Sequence, residues 1–480
     1  MSLKILFISA EVVPFAKVGG LADVAGSLPK ALRAMGHDVR VVMPAYAKIE
    51  EQARAGQLRF REGGMIVPTG VGGIPAGIFE GTLPGSDVPI YFVAQSQLFN
   101  RPNVYGQDDP YRFAFFSRAV FELVSVIGWR PDVLHAHDWH TAPAVTWLAT
   151  AGQADERYRG IPTVFTIHNL AHQGIASWDI FNVMALITHS LAEEPYGTVN
   201  FMARGIYHAT VINTVSPTYG REITTWEGGA GLHNLLQFRH NDLHGILNGM
   251  DYDVWNPQTD RNLARPFDAE DLTARMENKR ALQQRLGLPQ RDDVPLIGMV
   301  TRLDSQKGLE IVGHAIHLLM NNAAGEAQFV VVGTGDSRYE DMFRQLAGYH
   351  GNKMRAILAY AGDLAPLVYG GSDIFLMPSL FEPCGLGQMI AMRYGSVPVV
   401  RATGGLADTV RNGVTGFVFD DFSAEAFWNA LRTAIYIYNI DRESWRAIQH
   451  NGMTSDFSWR NSALGYQQLY EMALAKMRGW

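Results

Sequence analysis

The chain has 480 residues, of which 47% are hydrophobic and 18% charged, a balance typical of a globular protein without disordered or low-complexity excess. Because a single hydrophobic core rarely grows beyond about 250–300 residues, two domains are expected. The formal net charge of −7 argues against a nucleic-acid partner, since binding to phosphate backbones requires clustered Lys and Arg.

The N-terminal segment and the cysteine content bear on the cellular compartment. The apolar run from Lys4 to Ala10 is short, lacks a cleavage-site pattern and is interrupted by Glu11, which favours a buried first strand over a signal peptide. No segment approaches the length of a membrane span, so no membrane partner is expected. The one cysteine, Cys384, excludes an intramolecular disulfide and a cysteine-rich zinc site. We therefore expect a cytoplasmic protein.

Short apolar runs alternate with helical patterns along the chain, which is the rhythm of βαβ units in a parallel sheet. In the N-terminal half these runs are 5–8, 39–42, 133–134, 163–167 and 211–215. The rhythm restarts after residue 295 with the runs 296–300, 329–332, 374–377 and 397–400. The sequence therefore predicts an α/β fold with two parallel sheets.

A turn-rich stretch at residues 248–257 separates the two sets of runs, and a helical pattern follows from 268 to 286. The predicted organisation is an N-terminal domain, a hinge, a C-terminal domain and a final helix, at residues 1–250, 251–262, 263–458 and 459–480. The sequence leaves open whether the final helix crosses back to the N-terminal domain.

Polar residues follow many of the apolar runs, at the carboxyl ends of strands where open parallel sheets bind their ligands. In the N-terminal half they are Lys17 with Gly19-Gly20, the set His135, His137, Asp138 and His140, then His168-Asn169, and finally Asn248. In the C-terminal half they are Arg302 and Lys307, Gly333-Thr334-Gly335-Asp336, Glu382, and Gly404-Gly405. The cations suit a diphosphate and the carboxylates suit sugar hydroxyls, so the set indicates a nucleotide-sugar substrate.

One short phrase occurs in both halves of the chain. Gly19-Gly20-Leu21-Ala22-Asp23 returns as Gly404-Gly405-Leu406-Ala407-Asp408. Adjacent glycines let the backbone turn tightly and approach a ligand, and the helix that follows presents unpaired N–H groups to an anion. The first copy follows the first strand and the second follows a late strand, so we interpret them as two separate helix starts rather than a duplication.

Several motifs together match one enzyme family. They are Lys17-Val18-Gly19-Gly20-Leu21, His137-Asp138-Trp139-His140, His168-Asn169-Leu170, Asn248-Gly249, Arg302-Leu303-Asp304-Ser305-Gln306-Lys307-Gly308, Glu382-Pro383-Cys384-Gly385-Leu386 and Thr403-Gly404-Gly405-Leu406. On these residues the chain resembles the bacterial glycogen or starch synthases. The resemblance implies two Rossmann-like, doubly wound domains facing a deep cleft, the GT-B type of glycosyltransferase architecture. It also implies retaining transfer of glucose from ADP-glucose to the non-reducing end of an α-1,4-glucan, with neither a metal nor a cofactor.

The resemblance also implies roles for individual residues. The catalytic residues would be Asp138, His168, Arg302, Lys307 and Glu382. The donor-binding residues would be Lys17, Gly19, Gly20, Asn248, Gly335, Cys384, Gly385, Leu386, Thr403, Gly404 and Gly405. Arg302 and Lys307 would grip the diphosphate, Glu382 would hold glucose hydroxyls, and Gly404-Gly405 would donate N–H groups to the distal phosphate. Gly19-Gly20 would donate N–H groups in a similar way from the opposite wall of the cleft.

The chain departs from the family pattern at three places. Val18 stands where threonine is commonest, which bears on fine contacts and acceptor preference more than on the reaction. His172 stands where an aromatic residue is more usual. The Glu-x7-Glu pattern of related transferases is absent, because Ile390 follows Glu382 by eight residues. Gln388 is the candidate to face the nucleotide instead.

Individual motifs also fit other interpretations. The spacing of His135, His137 and His140 also fits a metal site, and Asp251-Tyr252-Asp253 imitates the Asp-x-Asp of metal-dependent transferases, but core hydrogen bonds and turn formation explain both more simply. Gly333-Thr334-Gly335 begins a dinucleotide fingerprint whose third glycine place is Arg338, which disfavours a dehydrogenase.

The sequence leaves three alternative functions open: a UDP-glucose-dependent glucan synthase, a nucleotide-sugar epimerase and a non-catalytic glucan-binding protein. The epimerase would convert the donor without an acceptor, and the binding protein would lose the cationic pair and Glu382. The sequence does not decide acceptor length, priming ability, domain arrangement or oligomeric state.

Overall fold

A computed structural model describes residues 2–186, 188–321 and 323–479, and the chain divides into two compact units. The first unit runs to Gly249 and also contains the C-terminal residues from Trp459, whereas the second comprises Met250–Ser458. Residues 251–262, predicted as a hinge, lie inside the second unit together with 263–458. The final helix, whose partner the sequence left open, is part of the first unit.

Apolar, β-branched runs form the strands of the first unit. The strands are β1 (Lys4–Ile8), β2 (Asp38–Pro44), β3 (Arg59–Phe60), β4 (Met65–Thr69), β5 (Gly72–Thr82), β6 (Pro89–Ala94), β7 (Val133–His137), β8 (Thr163–Ile167), β9 (Ile175–Ser177), β10 (Thr198–Asn200), β11 (Val211–Thr214) and β12 (Leu243–Gly245). The helices before residue 250 are α1 (Gly20–Ala34), α2 (Ala47–Arg54), α3 (Ser96–Phe99), α4 (Asp109–Val126), α5 (Ala142–Ala149), α6 (Ile180–Val183), α7 (Phe201–His208), α8 (Pro217–Glu222) and α9 (His233–Phe238), with 3-10 turns at Ala151–Ala154 and His240–Asp242.

Within the described residues, ten of these strands form one sheet, in the order β12-β11-β8-β7-β1-β2-β6-β5-β3, with β4 paired to β5. All pairs from β12 to β6 are parallel. The chain starts at the central β1, builds outward through β2 and β6, and then returns to the other side of β1 with β7. The order of strands therefore reverses between β1 and β7, and such a switch point leaves a crevice between the loops that follow the two strands.

An antiparallel extension at one edge of this sheet was not predicted from the sequence. Strand β5 pairs antiparallel with β3, β4 and β6. Its sequence contains Gly72, Gly73 and Pro75, which have low strand propensity, so no apolar run marks it. Pairing with its neighbours, a tertiary effect, makes it a strand.

The second unit has its own sheet. Its strands are β13 (Leu296–Val300), β14 (Gln328–Val332), β15 (Met354–Ile357), β16 (Ile374–Met377), β17 (Val397–Arg401) and β18 (Phe417–Phe419). Its helices are α10 (Arg275–Arg285), α11 (Leu309–Met320), α12 (Ser337–Tyr349), α13 (Ala365–Gly371), α14 (Gly387–Arg393), α15 (Gly404–Thr409), α16 (Ala424–Ile440) and α17 (Arg442–Thr454), with a 3-10 turn at Ser305–Lys307.

The six strands of the second sheet lie in the order β15-β14-β13-β16-β17-β18, and every pair is parallel. This is the doubly wound order of a Rossmann fold, with its switch point between β13 and β16. The side chains of Ile297, Phe329 and Val331 are fully buried between the sheet and its helices. The two parallel sheets predicted from the sequence are thus confirmed.

The helix predicted from residue 268 begins later, at Arg275. Asp268 accepts the N–H groups of Glu270 and Asp271, and Asp271 accepts that of Thr273. These side-chain bonds offer the backbone an alternative to the helix, so the acidic residues form turns instead.

The last helix, α18 (Trp459–Met477), matches the predicted final segment. Its buried residues recur every three or four positions, the spacing of one helix face, and that face packs on α1 and on β7, β8 and β11. No helix among the described residues is long and apolar enough to cross a membrane.

A buried ion cluster ties α10 to the sheet of the second unit. Asp373 accepts the N–H group of Leu296 at 2.9 Å and lies 2.8 Å from the Nζ atom of Lys279 and 3.6 Å from the guanidinium of Arg275. Lys279 also donates to the carbonyl of Val294. All three charged side chains are almost completely buried, so each depends on its partners.

We expect Asp373→Asn to lower the free energy of unfolding by about 3–5 kcal/mol, because two buried cations lose their counter-charge. Urea unfolding followed by circular dichroism measures the change. Asp292→Asn is the matched control, since Asp292 pairs with Arg280 on the surface and should cost much less. An equal loss in both variants would contradict the role given to the buried cluster.

Candidate active site

Two predicted site residues meet at the switch point of the second sheet. Lys307 follows β13 and Glu382 follows β16, and the Nζ atom of Lys307 donates to Oε2 of Glu382 at 2.7 Å. Ser379 donates its hydroxyl to the same oxygen at 3.0 Å. Both charged side chains are largely buried, at 14% and 8% exposure, so the pair has a defined geometry.

The second glycine pair packs directly on the Glu382 loop. A Cβ atom at Gly404 would lie 1.9 Å from the carbonyl oxygen of Glu382, and one at Gly405 would lie 2.1 Å from that of Cys384. The φ angle of Gly404 is also positive, at 43°. The N–H group of Gly405 donates to the carbonyl of Glu382 at 3.1 Å, so in this structure it is already used within the chain.

The buried side chain of Gln388 forms hydrogen bonds that hold the loop of residues 382–386. The side chain of Gln388 is completely buried, and its Nε2 atom donates to the carbonyls of Cys384 and Gly385 and to the hydroxyl of Thr409. The hypothesis that Gln388 faces a nucleotide therefore does not fit this structure. Gly385 has a φ angle of 75°, which an L-residue rarely adopts, and it lets the loop turn before α14. Thr403 and Leu386 flank the helix starts of α15 and α14.

Arg302 and Gly335 lie on neighbouring loops, after β13 and β14. The guanidinium of Arg302 is more than half exposed and is 3.5 Å from Asp304. A Cβ atom at Gly335 would lie 2.4 Å from the carbonyl oxygen of Leu303, so glycine is required where the two loops touch. The N–H group of Gly335 donates to Glu340 at 3.1 Å and is therefore engaged within the chain, whereas the charge of Arg302 is exposed.

In the first unit, Asp138 lies at the switch point beside β7. Its φ angle is 55°, uncommon for a residue other than glycine, and its N–H group donates to the carbonyl of Thr166. Its Oδ1 atom accepts the N–H groups of His168 at 2.7 Å and of Asn169 at 3.4 Å. Burial is the main cause that raises the pKa of Asp138 to about 7; the two N–H groups lower it and nearby Glu11 raises it.

His168 is joined to a second histidine. Its Nε2 atom is 2.9 Å from Nδ1 of His137. Burial lowers the pKa of His168 to about 3 and that of His137 well below 6.5, so both rings are neutral at pH 7. The Nε2 atom of His137 is buried without a partner among the described residues, and a bare lone pair there costs less than an orphaned N–H. We infer that His137 donates from Nδ1, which places the proton of His168 on its Nδ1 atom.

The loop before α1 is organised by a residue that the sequence analysis did not select. The carboxylate of Glu11 accepts the N–H groups of Val18 at 2.5 Å and of Gly19 at 2.9 Å, and it also accepts the hydroxyl of Tyr105. The N–H group of Gly19, predicted to bind phosphate, is thus engaged by the protein itself. Glu11 lies three residues after the end of β1, and the other candidates also follow strands, so the sequence contained the signal.

Of the remaining predicted groups of the first unit, Lys17 and the first glycine pair lie near solvent, whereas Asn248 is buried. The Nζ atom of Lys17 is 2.6 Å from Asp23 in an exposed ion pair. A Cβ atom at Gly19 or Gly20 would meet nothing within 4 Å, so packing does not require these two glycines. Asn248 is 6% exposed, and its Oδ1 atom has no hydrogen-bond partner among the described residues. That oxygen is available to accept a hydroxyl.

The motifs that suggested metal binding take part in hydrogen bonds and ring packing within the protein. His135 bonds to Tyr470 and Thr166, both at 2.8 Å, and His140 stacks on Tyr105. Asp251 accepts the N–H group of Asp253, which is an ordinary Asx turn. Among the described residues no group of three or more His, Cys, Asp and Glu has the arrangement of a metal site.

Comparison with protein families divides the chain in the same way as its fold. Residues 4–238 match the family described as starch synthase catalytic domain, and residues 282–448 match the family described as glycosyl transferases group 1. The first matched segment contains the first sheet apart from β12, and the second contains all strands of the second sheet.

Full-length relatives and solved structures are also similar to the chain. A glycogen synthase from Geotalea daltonii is 45% identical and one from Moorella thermoacetica is 43% identical, each aligned to 99% of this chain and to 99% and 98% of their own lengths. The catalytic domain of starch synthase IV from Arabidopsis thaliana, bound to ADP and acarbose, is 35% identical with a TM-score of 0.90, covering 99% of this chain and 100% of that one. Sucrose-phosphate synthase from Thermosynechococcus elongatus, 19% identical with a TM-score of 0.62 and covering 98% and 99% of the two chains, shares the fold.

The two doubly wound units have the GT-B architecture expected from the sequence. Sequence identity above 40% over nearly the whole length shows a closer relationship than a shared fold alone. The chain belongs to the glycogen and starch synthase family of glycosyltransferases.

Proposed function

We propose that the enzyme transfers glucose from ADP-glucose to the non-reducing end of an α-1,4-glucan, with retention of configuration, and so elongates glycogen. The observation that carries this proposal is the Lys307–Glu382 pair, 2.7 Å apart at the switch point of the second sheet. A cation beside a carboxylate at that place suits a diphosphate joined to a sugar. The names of the relatives and the ADP-bound starch synthase structure support the same reaction.

The diphosphate would be bound by Arg302 and Lys307. The guanidinium of Arg302 is exposed and only loosely held by Asp304, at 3.5 Å, so it is free to turn to a phosphate oxygen. The ammonium of Lys307 is fixed by Glu382 and offers its other protons to the leaving phosphate. Both charges stabilise the ADP that departs, which reduces the need for a strong general acid.

The glucosyl group would be held by oxygen acceptors and one imidazole donor. Glu382 would accept sugar hydroxyls, and the unpartnered Oδ1 atom of Asn248 would accept another hydroxyl of the donor. His168 would donate its Nδ1–H to a sugar oxygen, as the bond between its Nε2 atom and His137 implies. Asp138, when ionised, would stabilise the positive charge that develops on the sugar ring.

In the transfer step, the bond between the anomeric carbon and the diphosphate oxygen breaks while a bond to the acceptor hydroxyl oxygen forms on the same face. The proton of that hydroxyl passes to the departing phosphate oxygen, so ADP and a glucan longer by one glucose are the products.

Lys17 would lie beside the sugar and acceptor once it leaves Asp23. The glycines Gly19, Gly20, Gly404 and Gly405 would let the backbone approach the donor. We place the reaction in the cytoplasm, which agrees with a sequence whose one cysteine forms no intramolecular disulfide.

We expect ADP release and glucan elongation when the enzyme receives ADP-glucose and glycogen, with ADP-glucose preferred in direct competition with UDP-glucose. Chain-length analysis of the product and the anomeric coupling constant in proton NMR measure elongation and retention. Conversion of the nucleotide sugar to an epimer without acceptor would contradict the proposal and favour the epimerase. A preference for UDP-glucose would overturn the donor assignment alone.

Glu382→Ala and Lys307→Ala should each lower kcat by about 100-fold or more, because each removes a buried, charge-assisted partner of the transition state. Initial rates of ADP release measure the loss, and thermal melts confirm that the variants fold. Glu277→Ala is the matched control, since Glu277 pairs with Arg265 on the surface of the same unit. Near-normal turnover of either site variant would remove that residue from the site.

The activity should depend on the ionisation of Asp138. Because burial raises the pKa of Asp138 to about 7, the carboxyl is protonated below this pH and ionised above it, so kcat/KM for ADP-glucose should fall as the pH decreases through 7. His168, with a pKa of about 3, stays neutral over this range. Initial rates between pH 5.5 and about 8.5 give the profile. Asp138→Asn should abolish this fall in kcat/KM at low pH. If the fall survives in the variant, another group is responsible for it.

A further inference from the structure

Helix α18 buries a row of hydroxyl groups on the first sheet, where apolar packing would be expected. Tyr470 donates to or accepts from Nδ1 of His135 at 2.8 Å, and Tyr466 accepts the amide of Asn213 at 2.9 Å. The hydroxyl of Thr166 joins the two, at 2.8 Å from Nε2 of His135 and 3.2 Å from Nδ2 of Asn213. We call these five residues the tyrosine layer.

The register of the sheet explains why these side chains meet. Asn213 of β11 is paired with Thr166 of β8, and Thr166 is paired with His137 of β7. Side chains two residues apart on a strand point to one face, so His135 lies on the same face as His137. Tyr466 and Tyr470 are one turn apart on α18 and therefore reach this face together.

The tyrosine layer leads directly to two predicted site residues. The rings of His135 and His137 lie 4.1 Å apart, and His137 bonds through Nδ1 to His168 at 2.9 Å. The carbonyl of Thr166 accepts the N–H group of Asp138 at 2.9 Å. The hydroxyl of Tyr470 is thus three contacts from His168, and that of Tyr466 is three contacts from Asp138.

The protonation states make these contacts directional. Burial raises the pKa of Tyr470 well above 10 and lowers that of His135 well below 6.5, so both groups stay neutral. A neutral imidazole has one donor and one acceptor nitrogen. Whichever nitrogen carries the proton, loss of the Tyr470 hydroxyl leaves Nδ1 of His135 buried without its partner. The ring would then turn or take up water, and His137 would lose its support.

Stability alone does not require such a layer. Buried polar groups lose their interaction with water, and a set of apolar side chains of similar shape often stabilises a fold equally well or better. A hydrogen-bonded polar layer instead favours one orientation for each ring, although Oδ1 of Asn213 has no partner among the described residues. That selection is useful where the next side chains, Asp138 and His168, must be held within a fraction of an ångström.

We propose that Tyr466 and Tyr470 of the C-terminal helix are positioning residues for the transfer reaction, because their hydroxyls hold His135, Thr166 and Asn213, and through them the histidine pair and Asp138, in one arrangement. The inference rests on the proposed function of His168 and Asp138. The two tyrosines themselves do not touch the substrate. The C-terminal helix is then part of the support of the active site and not only of the fold.

The test compares Tyr470→Phe with Tyr158→Phe in the full-length enzyme. Tyr158 is a buried tyrosine of the same unit whose hydroxyl donates to the carbonyl of Phe121 at 2.7 Å, away from the histidines. Both variants lose the hydrogen bonds of one buried hydroxyl, which in Tyr158 also lies 3.2 Å from Oγ of Ser125, and both should melt at lower temperatures than the wild type. Only Tyr470→Phe should lower kcat, by about 10-fold, with a nearly unchanged KM for ADP-glucose, since a misplaced group acts mainly on the transition state. Equal kcat in the two variants overturns the proposal.

A double-mutant cycle shows whether Tyr470 acts through His168. If it does, Tyr470→Phe should have a much smaller effect on kcat in a His168→Ala background than in the wild type, whereas fully additive losses would contradict the proposed route. Tyr466→Phe should have a smaller effect than Tyr470→Phe, because Asn213 keeps its bond to Thr166. A Tyr466→Phe variant with wild-type kcat removes Tyr466 from the proposal.

Nitrogen-15 NMR of histidine-labelled protein separates this inference from the proposed function. In the ligand-free enzyme, Tyr470→Phe should shift the ring nitrogen signals of both His135 and His168, while Tyr158→Phe should leave them unchanged. An unshifted His168 signal overturns the inference whatever the substrate proves to be. If the wild-type enzyme transfers nothing from ADP-glucose, the proposed function fails, and the spectra still decide whether α18 positions His168.

Discussion

The reversal of strand order in each parallel sheet is the constraint on which the rest of the structure depends. In the second unit it places the loops after β13 and β16 side by side, and so brings Lys307 to Glu382 although 75 positions separate them in the chain. In the first unit it does the same for the loops after β1 and β7, which carry Glu11 and Asp138. Charged groups can be concentrated at the two switch points because these loops lie beyond the ends of the strands. Their backbone N–H groups do not pair with neighbouring strands and can bind side chains or ligands.

Burial then determines what these groups can do. Asp138 receives two N–H groups, yet removal from water outweighs them and raises its pKa to about 7. The same burial keeps His135, His137 and His168 neutral, so that they act as hydrogen-bonding groups and not as cations. A neutral histidine pair has one preferred direction of donation, and the tyrosine layer beneath it fixes the rings. In the first unit, burial therefore keeps the histidines neutral, and the packing of the tyrosine layer fixes the orientation of their rings.

Much of the fold could be predicted because its signals are local. The runs at 163–167 and 296–300 coincide with β8 and β13, and the final helix was placed correctly, since apolar strands and an amphipathic face are visible in the sequence itself. The glycine-rich, antiparallel β5 was missed, and the start of α10 was placed seven positions too early (268 against 275), because edge pairing and Asx turns override propensity. Among the site candidates, the functions given to Gly19, Gly405 and Gln388 changed once their hydrogen bonds were known.

The sequence by itself determined the α/β class, the presence of two sheets, the family and the residue types available for chemistry, because strand and helix patterns and short motifs are properties of neighbouring residues. Only the tertiary structure decided which of those residues meet. It paired Lys307 with Glu382, turned the carboxylate of Glu11 onto the Gly19 loop and brought Tyr470 to His135 across 335 positions of chain. The repeated Gly-Gly-Leu-Ala-Asp phrase shows the difference: one copy has open space around its glycines and the other is packed on backbone carbonyls, since burial depends on the surrounding fold and not on the phrase.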